Sequence, residues 1–192
     1  MRAGSRYVGM WFGGSWTKKI GPAFSSIPTQ PYAILAARSE YVLESKGRLA
    51  LSFFMEAMPA IVVQDVPHYH VVETWQPPNG PMRRRKIWDS RGPVYGIGVT
   101  PVGMQYYVAL SPKVRAFMNM SGGLSWFTRD MPVPDSKQIN FLGDIGGGLR
   151  IARGTGGFIV GMKFHHMSNA NQGHQNPGID GNVVYAGLIR AR

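Results

Sequence analysis

The chain reads as all-β: an eight-stranded antiparallel up-and-down transmembrane β-barrel, one outer-membrane domain over residues 1–192. Three observations predict it. Apolar residues recur with period two, not with helical spacing. Long and short connections alternate along the chain. Although 44% of the residues are hydrophobic, no run approaches the roughly 20 apolar residues of a membrane-spanning helix. Only helices and closed barrels satisfy every backbone polar group in lipid, so a membrane protein with this pattern must close a barrel.

The expected strands lie near 5–14, 31–43, 47–62, 93–110, 114–129, 138–152, 156–169 and 182–190. The clearest are central. From Ala116 to Trp126, Ala116, Met118, Met120, Leu124 and Trp126 share one face, and Asn119, Ser121, Gly123 and Ser125 the other. From Ile139 to Ile151, Ile139, Phe141, Ile145, Leu149 and Ile151 oppose Asn140, Asp144, Gly146, Gly148 and Arg150. In a membrane barrel the apolar face meets lipid and the polar face lines the interior. Glu56, Asn119, Asp144, Arg150 and Lys163 are therefore expected to form a paired polar core inside the barrel.

Short turns fall at Glu44–Gly47, Ser111–Lys113 and Arg153–Gly156. Long connections fall at Ser15–Gln30, Val63–Gly92, Asp130–Lys137 and Ala170–Gly181, and Val63–Gly92, with its prolines and charges, reads as one long loop. Short periplasmic turns alternating with longer outside loops is the pattern of an up-and-down barrel. A soluble Greek-key sandwich, the competing all-β architecture, has no reason to alternate in this way.

Lys and Arg number 21 against 10 Asp and Glu, a net charge of +11, which favours anionic partners. Only 16% of residues are charged, below the usual share of about 25%. The cluster Arg83-Arg84-Arg85-Lys86 falls in the longest outside connection and could hold lipid phosphates or simply be solvated. It lacks interleaved aromatics and any recognisable module, so no nucleic-acid role is expected. With no cysteine there is no thiolate nucleophile, disulfide or Cys-based metal site. The start, MRAGSRYVGMWFGG, lacks a sustained apolar core before a small-residue cleavage site, so a signal peptide is not expected in this chain. The end, GLIRAR, departs from the aromatic closing residue common in such barrels.

Chemistry concentrates in KFHHMSNANQGHQNPGID, Lys163 to Asp180. Alternation from Gly156 puts Phe158, Val160, Met162, Phe164, His166 and Ser168 on one face, and Ile159, Gly161, Lys163, His165 and Met167 on the other. A lysine does not belong in lipid, so the first set faces outward. On one strand face, Cβ atoms two residues apart lie about 5–7 Å from each other, which lets the His166 imidazole approach the Ser168 hydroxyl. Asp180 opens the following antiparallel strand and can return beside them. Taken alone, a His-x-Ser pair is more often structural than catalytic, and Asn176-Pro177-Gly178 is turn chemistry in any protein.

His166-Met167-Ser168-Asn169, then Asn176-Pro177-Gly178, then an acidic residue twelve positions after the serine, resembles the pattern of the outer-membrane lipid A 3-O-deacylase (PagL-type, acyloxyacyl hydrolase) family. Weaker likeness extends through Gly98–Gly103 and Gly146-Gly147-Gly148. The resemblance implies an eight-stranded barrel in the bacterial outer membrane acting on lipid A or lipopolysaccharide, with no cofactor or metal. It implies Ser168 as nucleophile, His166 as general base, Asp180 as the orienting acid where well-known members carry Glu, and Asn169 and Asn176 as oxyanion donors. Three other readings stay open on the residues: a non-catalytic barrel of the same ancestry, a barrel phospholipase, and a soluble sandwich. An apolar belt also leaves open a homodimer or a larger envelope assembly.

Overall fold

A computed structural model describes the backbone of all residues except 16–23, 25–29, 65–66, 91 and 134, and the side chains of all of these except 67–73 and 83–90. Among the described residues ten strands are present: β1 (Arg6–Ser15), β2 (Tyr32–Lys46), β3 (Leu49–Val63), β4 (Pro67–Trp75), β5 (Arg83–Ser90), β6 (Val94–Ala109), β7 (Val114–Met131), β8 (Lys137–Arg153), β9 (Gly156–Ser168) and β10 (Ile179–Ala191). Eight of them close an antiparallel barrel in the order β1-β10-β9-β8-β7-β6-β3-β2. These eight are the predicted strands, lengthened at several ends.

One expectation is overturned. Val63–Gly92 is not one long loop: it carries the β4–β5 hairpin, a separate two-stranded sheet. Its segments, PHYHVVETW and RRRKIWDS, are polar and flanked by prolines, so they lack the alternation that marks a barrel strand. The Asp130–Lys137 connection is also shorter than expected, because β7 runs on to Met131.

The alternation has its predicted consequence. Large apolar side chains are exposed on every barrel strand, among them Met10, Leu43, Met55, Ile97, Met118 and Leu188. A belt of this extent is a lipid-facing surface. Two prolines sit at breaks in the ladder, since proline offers no N–H to a neighbouring strand. The β3–β6 register shifts between Met58 and Ile61, around Pro59. The β6–β7 register shifts between Val99 and Val102, around Pro101.

A barrel this narrow must be filled by its own side chains. Aromatics supply the volume and glycines the room. A Cβ on Gly103 would lie 2.4 Å from the Phe54 ring, and one on Gly161 would lie 2.7 Å from the Tyr185 hydroxyl. The predicted polar core is present, and Arg38, Glu40 and Gln105 join it. Lys163 Nζ lies 3.0 Å from Asp144 and 3.7 Å from Glu56. Arg38 contacts Glu56 at 3.4 Å and Glu40 at 3.8 Å, and its Nη2 donates to Gln105 at 2.6 Å. Tyr107 and Ser52 hydroxyls both donate to Glu40 at 2.8 Å, and the Trp11 indole donates to Glu56 at 2.7 Å. Among the described residues, three buried Lys and Arg side chains thus face three buried Asp and Glu carboxylates, and these formal charges balance.

Such a network constrains substitution more than it stabilises, because removing one partner strands the other in a low dielectric. Asp144 holds both Lys163 and the Nδ1 of His165. Asp144→Ala is expected to destabilise the barrel by about 3–5 kcal/mol, read as a lower urea midpoint for unfolding from detergent or lipid. A midpoint unchanged within error would show that Lys163 finds adequate pairing in Glu56 alone.

Candidate active site

The site lies where β9 ends and β10 begins, at the long-loop end of the barrel. The β9–β10 register sets His166 directly opposite Asp180, and the β8–β9 register sets it opposite Gly143. Residues directly opposed across an antiparallel pair share a face. His166 therefore faces outward with a half-exposed ring, while its neighbour His165 is fully buried inside against Asp144. This is the parity expected from the sequence.

His166 Nδ1 lies 2.7 Å from Asp180 Oδ1. Asp180 is wholly buried, and its second oxygen accepts the backbone N–H of Phe24 at 2.7 Å. A carboxylate can only accept, so Nδ1 carries the hydrogen and Nε2 is left as the ring's acceptor. Phe24 also packs edge-on to the imidazole, with ring centroids 5.6 Å apart, and to Phe164 at 5.9 Å. Backbone and ring of Phe24 together fix the dyad from the side opposite the barrel wall.

The β9–β10 loop is held by its own amides. The Asn169 N–H donates to Asn176 Oδ1 at 3.0 Å, and Asn169 Nδ2 donates to the Gln175 carbonyl at 2.7 Å. Asn176 Nδ2 donates to Asn171 Oδ1 at 3.0 Å, and the Gln175 N–H reaches the Asp135 carbonyl in the β7–β8 loop at 3.3 Å. Gly178 closes the loop at φ +64°, where a Cβ would sit 3.1 Å from His166 Cε1 and 3.8 Å from Ser168 Cβ. Both the backbone angle and the close approach require glycine.

A cavity of about 500 Å³ opens over this wall, lined by Phe24, Gly143, Phe164, His166, Ser168 and Asn176, among others. Gly143 forms open floor, since a Cβ there would meet nothing within 4 Å. The structure thus brings His166, Ser168, Asp180 and Asn176 together. Asn169 is buried beneath the loop, one N–H of its amide on the Gln175 carbonyl. The backbone of Arg83–Lys86 lies in β5, and the side chains of these four fall outside the described residues. Sequence reasoning misses Phe24 and Gly143. A backbone N–H and an absent side chain leave no mark in a pattern of chemical groups. Among the described residues no cluster of His, Cys, Asp or Glu could hold a metal.

A closed eight-stranded barrel with an apolar belt is an outer-membrane architecture, and this one carries a His–carboxylate pair and a serine around a cavity at its long-loop end. The protein-family model for lipid A 3-O-deacylase (PagL) matches residues 62–188, well over half of the chain, and the chain belongs to that family. Its fold is similar to the crystal structure of the outer membrane enzyme PagL, with a TM-score of 0.62 and 16% identity over 94% of this chain and 97% of that one. The Yersinia pestis outer membrane protein Ail, solved in a phospholipid bilayer nanodisc, aligns at a TM-score of 0.42 and 10% identity over 98% of this chain and 99% of that one. No curated protein sequence matches the chain.

Proposed function

We propose that this protein removes an ester-linked 3-hydroxyacyl chain from lipid A by a Ser-His-Asp mechanism at the outer face of the barrel. The observation that carries the reading is the convergence of His166, Ser168 and Asn176 on one cavity of the outward-facing wall, with His166 bonded to buried Asp180 at 2.7 Å. An outward-facing site is ill suited to a soluble substrate. It suits an ester whose acyl chains already lie in the outer leaflet.

In this mechanism Ser168 Oγ attacks the ester carbonyl as His166 Nε2 takes its proton. Asp180 holds the ring and stabilises the imidazolium. The tetrahedral oxyanion is met by the Asn176 amide, which has a second N–H beyond the one given to Asn171. Asn169 acts as a positioning residue, holding Asn176 and Gln175 in place. Collapse expels the sugar hydroxyl, which takes the proton back from His166. Water then attacks the acyl-serine with the same base, and the 3-hydroxy fatty acid departs as Ser168 regains its proton.

The test is mass spectrometry of purified lipid A incubated with the detergent-solubilised protein, with a glycerophospholipid present as competitor. Loss of one 3-hydroxyacyl chain from lipid A, with the phospholipid intact, is expected. No mass change with demonstrably folded protein would sink the proposal, and cleavage of the phospholipid instead would make it a phospholipase.

The cavity floor gives a second prediction. Gly143→Phe places a ring on the outward face beside His166, where a Cβ meets no neighbour within 4 Å. Activity is expected to fall about 100-fold, the scale of a small misplacement of substrate, while the fold and its heat stability are kept. Gly143→Ala should be nearly silent. Full activity in the Phe variant would show that the acyl chain does not cross this wall.

A further inference from the structure

The charge of the protein is not spread evenly. With the interior balanced, most of the excess of +11 is left to the short-turn end. There the β2–β3 turn presents Lys46 and Arg48, the β6–β7 turn Lys113 and Arg115, and the β8–β9 turn Arg153. Arg2, Arg6, Arg190 and Arg192 complete the ring beside β1 and β10. Glu44 is the only acidic residue at this end. All of these cations but Arg115 are exposed, and among the described residues none has a carboxylate partner.

Their height matters as much as their sign. Arg6 lies two residues beyond the exposed Val8, Arg190 two beyond Leu188, and Arg153 two beyond Ile151. Two residues of strand rise about 7 Å, which carries each charge from the end of the apolar belt to the level of lipid headgroups. Exposed Tyr41 and Tyr106 stand at the same edge, and the Arg6 guanidinium lies 5.9 Å from the Tyr41 ring centroid. A ring at headgroup level on all sides fits a lipid leaflet. A soluble partner would need a patch on one side or on the flat underside.

One point on the ring is built more deeply. Arg115 and Arg150 are directly opposed across β7 and β8, a pairing that repels. Arg150 is compensated by Glu40 at 3.8 Å and by the Tyr7 ring at 3.9 Å. Arg115 is half-buried and has no such compensation. With Lys113 and Arg150 it lines a cavity of about 160 Å³, closed by Gly154, Thr155 and Gly156. Directly opposed residues share a face, so Arg115 and Arg150 both turn into the barrel mouth, and this recess lies inside the rim and not on its lipid side.

We propose that the short-turn rim binds the phosphodiester headgroups of anionic glycerophospholipids in the leaflet opposite the active site, through the outward Arg6, Arg153 and Arg190 at headgroup height. Each basic side chain near an anionic surface adds to the attraction. The rim thereby fixes the depth of the barrel, and with it the height of the cavity at the other end.

The experiment reads lipid contact, not catalysis, so it stands or falls apart from the proposed hydrolysis. The protein is reconstituted in vesicles in which brominated phosphatidylglycerol or brominated phosphatidylcholine quenches tryptophan fluorescence, and the relative association constant of the two lipids is measured. A several-fold preference for phosphatidylglycerol is expected, weakened by 0.5 M salt (about 4 Å of screening length). Arg6→Gln/Arg153→Gln/Arg190→Gln should lower the ratio, whereas the charge-preserving Arg6→Lys/Arg153→Lys/Arg190→Lys should keep it. Heat-shifted mobility on a gel shows that each variant is folded. No preference in the wild type, or one undiminished in the Gln variant, would overturn the proposal. So would equal loss of the preference on adding millimolar inorganic phosphate, because a free anion would then suffice.

Discussion

Ser168→Ala is expected to lower the rate of lipid A deacylation by roughly 10⁴- to 10⁶-fold, the range seen when the nucleophile of a Ser-His-carboxylate site is removed. The substitution deletes one oxygen from a half-exposed residue at the end of β9 and leaves the ladder to Phe141 unchanged. The barrel should keep its heat stability, and the cavity should still accept lipid A. Binding and chemistry therefore separate: the variant should retain lipid A while failing to release a 3-hydroxy fatty acid. Wild-type protein treated with a fluorophosphonate should gain the probe's mass on the peptide containing Ser168, and the variant should not. A variant that still releases fatty acid within tenfold of the wild-type rate would remove Ser168 from the mechanism. Attention would then turn to a water activated directly by His166.

The barrel is legible in the sequence because every wall strand must obey the same two constraints, lipid outside and a crowded polar interior inside. Met118 and Met120 could not face inward, nor Lys163 outward, without large cost. The hairpin of β4 and β5 obeys neither constraint. It stands apart from the barrel sheet and reads as a loop. The dyad is legible for a topological reason: an antiparallel return brings the start of β10 beside the end of β9, so Asp180 had to meet His166 or its neighbour. Parity chooses between the adjacent histidines. What the sequence hides is contact through groups every residue possesses. Phe24 sits far away in the β1–β2 connection, and it supports Asp180 through its backbone N–H. Arg38 and Glu40 look like surface charges until the strand is closed into a barrel and both point inward.

The second large effect is expected at Asp180, and the geometry allows it to be argued atom by atom. Its Oδ1 faces His166 Nδ1 and its Oδ2 faces the Phe24 N–H, both at 2.7 Å, and both partners donate. Asn at this position offers one acceptor and one NH₂ donor. If the amide oxygen serves His166, the NH₂ is driven against the Phe24 N–H in a fully buried place. If the oxygen serves Phe24, the NH₂ faces Nδ1, which must then be the acceptor. The proton moves to Nε2, and the base no longer presents a lone pair to Ser168. Either arrangement is a loss, and the second disables the base while leaving every side chain near its place. Asp180→Asn is thus expected to reduce kcat by about 10²- to 10⁴-fold, the upper figure being the cost of the wrong tautomer at comparable sites. Asp180→Glu keeps two acceptors and should lose far less. Histidine ¹⁵N chemical shifts give the discriminating readout: the wild-type His166 ring should carry its proton on Nδ1, and the Asn variant should shift population toward Nε2. An Asn variant with full activity and an unchanged tautomer would mean that Asp180 merely braces Phe24 and that the imidazole is oriented by the cavity wall alone.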